Sequence, residues 1–155
     1  MKRLITYSCM AIFAMGSMAQ NQKDEAQMNR FISGLMKKMT LEEKVGQLSQ
    51  CSGGFATGPD NTRISRTEDI SKGLIGSLLN VSGAANTGKY QEAAMKSRLQ
   101  IPLLFGLDVI HGYRTGFPLP LAEAASFDLD AIERGSRCAA KEAAAAGLHW
   151  TFAPM

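Results

Sequence analysis

The stretch Ile101–Asp128, IPLLFGLDVIHGYRTGFPLPLAEAASFD, decides how the rest of the chain is read. It opens on the apolar run Ile101-Pro102-Leu103-Leu104-Phe105. A run this short and this hydrophobic predicts a strand buried on both faces, as in a parallel sheet. Gly106, Asp108, His111, Gly112 and Arg114 follow at once. A carboxylate at the end of a buried strand is costly to desolvate unless something there uses it. In barrels of alternating strands and helices, that strand end is where active sites sit. Asp108 is therefore the first candidate for a functional residue. The alternative is a structural aspartate, buried against Arg114 or a backbone turn.

The alternation continues on both sides of this stretch. Leu74–Val81 (LIGSLLNV) reads as a buried strand between Lys72-Gly73 and Ser82-Gly83. Asn86 or Thr87 offers a cap for a helix from about Gly88 to Arg98. Downstream, Ser126 or Asp128 caps a long helix that stops at Gly147, and Leu148–Phe152 (LHWTF) reads as a further strand. Upstream, Met28, Phe31, Ile32, Leu35, Met36 and Met39 fall on one helical face. Its methionines indicate adaptable packing rather than a cofactor box. Thr40 starts a second helix, with Glu43 completing a capping box and Leu41, Val45 and Leu48 on the inner face. Helix, helix, strand, helix, strand, loop, helix, strand predicts an α/β fold with a parallel sheet. A closed eight-stranded barrel takes roughly 250 residues. The 155 residues here supply about three strands. The expectation is the front part of a longer protein, poorly packed if expressed alone.

The N-terminus reads as a leader. Lys2 and Arg3 precede the largely apolar Leu4–Met15, and Ser17-Met18-Ala19 puts small residues where a signal peptidase cuts. Residues 1–19 are expected to be a signal peptide cleaved after Ala19, which places the protein outside the cytoplasm, secreted or periplasmic. The apolar run is too short for a permanent membrane span, and Cys9 has no lipoprotein box, so no membrane anchor is expected. Gln20–Gln27 reads as a polar leader. Losing Lys2 and Arg3 takes two positive charges from a net charge of +3. The remainder is near neutral without a basic run, which argues against nucleic acid or anionic membranes as partners. Export permits a disulfide, but Cys51 and Cys138 alone do not establish one. Cys138, in an Ala-rich helix, reads more simply as core. Ser49–Pro59 carries Gly53, Gly54 and Gly58 but lacks the Gly-Lys-Ser/Thr ending of a phosphate loop. The two histidines stand without a Cys/His cluster, so no metal site is expected.

Several motifs together resemble one family. They are Gly-x-Asp-x-x-His-Gly (Gly106–Gly112), Phe-Pro-x-Pro (Phe117–Pro120), Ala124–Asp128, MTLEEKVGQ (Met39–Gln47) and GLHWTFAPM (Gly147–Met155). In this order they resemble the N-terminal domain of family 3 glycoside hydrolases, the β-glucosidase family, over Met28–Met155. The resemblance implies that residues 28–155 are the N-terminal portion of a (β/α)8 TIM-type barrel, left incomplete. It implies a retaining, exo-acting β-glucosidase that removes terminal β-D-glucosyl residues from oligosaccharides or glucosides without a cofactor. The Asp-x-x-His-Gly-Tyr-Arg run is more similar to the glucosidase branch than to the branch that removes N-acetylglucosamine.

In that family the aspartate matching Asp108 binds hydroxyls of the terminal sugar and is not the nucleophile. His111 and Arg114, one turn further on, would order the loop or hold Asp108. Retaining glycosidases need two carboxyl groups about 5 Å apart. The family's nucleophile, its acid/base, its Lys-His pair and its sugar-holding arginine all match positions beyond Met155. No catalytic residue is therefore assigned, and the chain by itself is expected to be inactive. Glu123 and Asp128 read as capping or surface acids. His149 and Trp150 read as core, although a Trp150 ring could also flank a sugar. The rivals are a β-xylosidase or exo-glucanase of the same family, or a non-catalytic carbohydrate-binding remnant. A third is an unrelated barrel enzyme such as an aldolase, for which the strands offer only Lys72.

Overall fold

The structure is a computed structural model that describes residues 24–53 and 66–154. The expected signal peptide and the Gly-rich segment after Gly53 lie outside the described residues. The chain divides into two compact units, Met1–Thr40 and Leu41–Met155. In the first, a helix (α1) occupies residues 24–38 and Met39 falls just past it. Residues 24–27, read as part of a loose leader, are already helical. Asp24 and Glu25 suit an early helical turn, where carboxylates meet the positive end of the helix dipole.

The second unit holds α2 (Leu41–Leu48), β1 (Gln50–Ser52), α3 (Arg66–Ser71), β2 (Ser77–Leu79) and α4 (Ala84–Ala94). β3 (Leu104–Leu107), α5 (Pro120–Ser126), α6 (Leu129–Ala145) and β4 (Trp150–Thr151) follow. The strands form one parallel sheet in the order β1-β2-β3-β4. Each new strand is added beside the last with no reversal, whereas a doubly wound sheet reverses its order. Right-handed crossovers wound in one sense keep their helices on one face. The core has that composition: Ile70 of α3, Ala93 and Ala94 of α4 and Ala143 of α6 cluster with Leu78 and Phe105. Leu78 pairs with Cys51 on one side and Phe105 on the other, so these three share the helix-covered face.

Four expectations are corrected. The described residues form four strands rather than about three, because β1 lies in the stretch Ser49–Pro59 that reads as a loop. It is held by parallel pairing of Gln50 with Ser77 and by the Gly53 amide donating to Leu79 O at 2.8 Å. Burial on both faces also fails. β3 buries Leu103 and Phe105 but leaves Leu104 53% exposed, because Leu104 points to the sheet face opposite the helices. In α2, Leu41, Val45 and Leu48 are exposed and the buried residues are Glu43 and Gly46. The helix meets its neighbour through bare backbone: a Cβ on Gly46 would stand 2.4 Å from Gly73 O. Glu43 accepts from Arg98 Nε at 3.0 Å and Nη2 at 2.5 Å. Finally, α4 starts at Ala84 with Gly83 as N-cap, so neither Asn86 nor Thr87 caps it. Thr87 is buried inside the helix, and its hydroxyl reaches Ala146 O at 3.4 Å.

The expected limits of α6 match the structure. Asp128 Oδ1 accepts from the Ala131 amide at 2.9 Å, and Gly147 turns the chain at φ 82°. Sequence reading missed α5, a short helix with Pro120 at its start, which Ser126 ends by donating to Glu123 O at 2.6 Å.

The backbone contact at Gly46 gives a prediction with an internal control. Alanine for glycine within a helix normally stabilises by up to about 1 kcal/mol. Gly34→Ala in α1, with nothing within 4 Å of the added Cβ, should follow that rule. Gly46→Ala should instead destabilise by about 1–3 kcal/mol through overpacking. Denaturant midpoints of the two variants, moving in opposite directions, check it.

Candidate active site

Parallel pairing sets the C-terminal ends of all four strands along one edge. Asp108 is the first residue after β3. It is exposed, and its carboxylate makes no hydrogen bond or ion pair with a described residue. The alternative of an aspartate buried against Arg114 or a turn is therefore not what the chain forms. Its backbone is fixed: Thr151 Oγ1 donates to Asp108 O at 2.8 Å and accepts from the Ala153 amide at 3.2 Å. One hydroxyl thus ties the end of β3 to the end of β4. The next residue, Val109, takes φ 43°. A β-branched residue in the left-handed region is strained, and such strain persists only where the surroundings over-determine it.

The surroundings that do this lie in the loop between β3 and α5. The Phe117 amide donates to His111 O at 2.8 Å, and Gly112 bridges to Ile110 and Gly116. Gly112 sits at φ 107°, where a Cβ would fall on Thr115 O, so the turn requires glycine. The side chains of His111 and Arg114 are exposed and neither bonds to Asp108. What anchors the loop is Glu142 on α6. Its Oε2 accepts from the amides of Arg114 (2.8 Å) and Thr115 (2.9 Å), and its Oε1 from Thr115 Oγ1 (2.6 Å). Two turns earlier on the same helix, Gly135 lets Phe117 approach: a Cβ there would be 3.4 Å from Phe117 Cδ1. Residues seven apart lie on one helical face. Sequence reading missed Glu142, which looks like any charged residue of an Ala-rich helix. Its spacing from Gly135 was the available signal.

His149 and Trp150 are exposed rather than core. His149 Nδ1 accepts from the Phe105 amide at 3.2 Å, and Trp150 lies against Phe152 with ring centroids 4.7 Å apart. Cys51 and Cys138 are separate, half-buried free thiols, so Cys138 is not fully core. Lys72 pairs with Glu68 at 2.6 Å, and the hydrogen bond and charge of Glu68 raise its pKa. Lys72 precedes β2 and so stands away from the strand ends that carry Asp108, where a Schiff-base lysine would be needed. Among the described residues no group of three or more metal-ligating side chains comes together, and no helix is long and apolar enough to cross a membrane.

The hydrogen bonds to Glu142 have a pH signature. The Thr115 hydroxyl first, then the Thr115 amide, hold its carboxyl below the ordinary 4.5, against a smaller opposing effect of burial. A lowered folded-state pKa stabilises above the unfolded value, and the contribution is lost as pH falls through the folded one. The Arg114 and Thr115 amides should therefore keep their protection from hydrogen exchange above pH 4.5 and lose it on further acidification. Protection factors across that range check this, and a Glu142→Gln variant should show no such step.

The chain is similar to known proteins along most of its length. Residues 40–155 match the glycosyl hydrolase family 3 N-terminal domain. It is 44% identical to a periplasmic β-glucosidase of Salmonella typhimurium, covering 81% of this chain and 16% of that protein. It is 28% identical to a lysosomal β-glucosidase of Dictyostelium discoideum, covering 18% of it. Among solved structures, a β-glucosidase from Listeria innocua, in complex with isofagomine, superposes with a TM-score of 0.70 at 41% identity, over 81% of this chain and 18% of that one. A β-glucosidase from intestinal bacteria, involved in saponin metabolism, gives 0.58 at 37% identity, over 79% and 16%. The chain thus spans less than a fifth of the relatives it matches. Its singly wound parallel sheet is an incomplete TIM-type barrel, and the chain belongs to glycosyl hydrolase family 3, in its N-terminal domain.

Proposed function

We propose that this chain is the front part of an exported, retaining β-glucosidase and supplies part of the subsite for the terminal glucose. The observation that carries the reading is Asp108. It is an exposed carboxylate without a side-chain partner, on a pinned backbone, at the strand end where barrel enzymes do their chemistry. Such a carboxylate can accept two charge-assisted hydrogen bonds from adjacent sugar hydroxyls. The names of the relatives support β-glucosides as the substrate class, and a periplasmic relative supports export. The basic and apolar residues 1–19 are the proposed export signal.

Asp108 binds and does not react. The nucleophile and the acid/base, about 5 Å apart in a retaining enzyme, would come from sequence after Met155. His111 and Arg114 would serve the order of the loop rather than the chemistry.

Two hydrogen bonds to a charged acceptor, worth about 1.5–3 kcal/mol each, set the size of the effect. In the full-length protein, Asp108→Ala should lower kcat/KM for aryl β-glucosides by about two to four orders of magnitude. The melting temperature should stay within a few degrees, because the side chain supports no other group. Turnover near that of the unaltered protein would overturn the assignment.

A further inference from the structure

We infer that Glu142 is a positioning residue, which aims Asp108 at the sugar by holding the loop that follows it. The inference rests on the glucosidase reading of Asp108 and extends it to a side chain on a different element. Between Asp108 and the anchored Arg114–Thr115 lie five residues, beginning with Val109 at φ 43°. That strained turn sets the direction in which the chain leaves β3, and with it the orientation of Asp108. The loop has few means of holding the strain by itself. Val109 and Tyr113 pack against the core, but His111, Arg114, Thr115 and Gly116 toward the tip are exposed, and the loop's own main-chain support is one hydrogen bond and two isolated bridges.

The external support is stronger and is aimed at the tip. Glu142 receives three hydrogen bonds from two consecutive residues, Arg114 and Thr115. Both carboxylate oxygens are engaged, so the side chain fixes the orientation of the tip as well as its distance from α6. Thr151 holds the other side by donating to Asp108 O at 2.8 Å. Asp108 thus lies between a hydroxyl that fixes its carbonyl and a carboxylate that fixes the loop beyond it. Glu142 is not placed to touch substrate on this account. It acts through Asp108, and loosening it would weaken bonds to sugar hydroxyls that form in both the ground and transition states. Losses of that kind appear mainly in KM.

The test uses the full-length protein and aryl β-glucosides. Glu142→Ala should raise KM about ten- to a hundredfold, the effect of misplacing a binding group by about 1 Å, with kcat changed by less than about threefold. Glu142→Gln keeps one acceptor oxygen and should give an intermediate KM. Thr115→Val, which removes one bond and keeps the shape, should raise KM about two- to fivefold. It also serves if Glu142→Ala does not fold. A purely structural role would lower the melting temperature and the yield of active enzyme while KM stays put, and that result overturns the proposal alone. If the unaltered protein does not turn over β-glucosides, the glucosidase reading fails and this proposal with it.

Discussion

Parallel pairing of consecutive strands is the constraint from which the rest of this structure follows. Parallel neighbours cannot be joined by a tight turn, so each pair needs a long crossover. Here the crossovers carry α3, α4 and the α5–α6 pair. Winding them all in one sense puts the helices on one face, where alanines of α4 and α6 let them close on Leu78 and Phe105. It also brings every strand end to a single edge. Asp108 stands on that edge because β3 is parallel to its neighbours, and the same geometry brings Thr151 within 2.8 Å of its carbonyl.

The two ends of the sheet are built differently. Segments leading into the strands are fixed by close backbone approach and by a two-point ion pair. Gly46 meets Gly73, Gly76 meets Gln47, and Glu43 holds Arg98. The Glu43 side chain is only 11% exposed, so removing Arg98 would take a two-point charge partner from a nearly buried carboxylate. Left-handed residues stand just past β2 and β3, Asn80 at φ 61° and Val109 at φ 43°, and also on the way into β3, Gln100 at φ 52°. Asn80 is steadied by its amide donating to Gly106 O at 3.2 Å, and Val109 by packing against the core beside a loop that Glu142 and Thr151 brace.

Much of this was legible in the sequence, and the failures have physical causes. LIGSLLNV and IPLLF announced β2 and β3 because buried parallel strands are near-continuous apolar runs. Asp128 and Gly147 announced the ends of α6, since capping is a local property. β1 was hidden because Gln50–Ser52 is three residues long with Cys51 alone apolar, and is a strand only through its neighbour. α2 misled because its apolar stripe, read as the inner face, is exposed while a glycine and a glutamate face inward. Periodicity reports which residues are apolar, and a helix pressed backbone to backbone against its neighbour buries none of them. Asp108 was legible because its neighbours form a motif. Glu142 was not, because its partners are amides twenty-seven and twenty-eight positions away.

That last failure concerns more than one residue. A side chain that binds backbone amides recognises the shape of a loop and not its side chains, so no pattern of residue types in the loop betrays the contact. Arg114 could be replaced by almost any residue without losing the hydrogen bond that its amide donates to Glu142. Gly112 could not, because a Cβ there would collide with Thr115 O. The loop's visible constraint is therefore its glycine, and its anchor lies in a helix that otherwise reads as alanine filler. The side-chain signature of the site, Asp108 with His111 and Arg114, is held in place by groups that contribute nothing to that signature. Thr151 and Glu142 belong to different elements and share only the task of holding main chain. Wherever a binding carboxylate must stay exposed, rigidity has to come from the backbone beneath it, because packing its side chain would bury the charge.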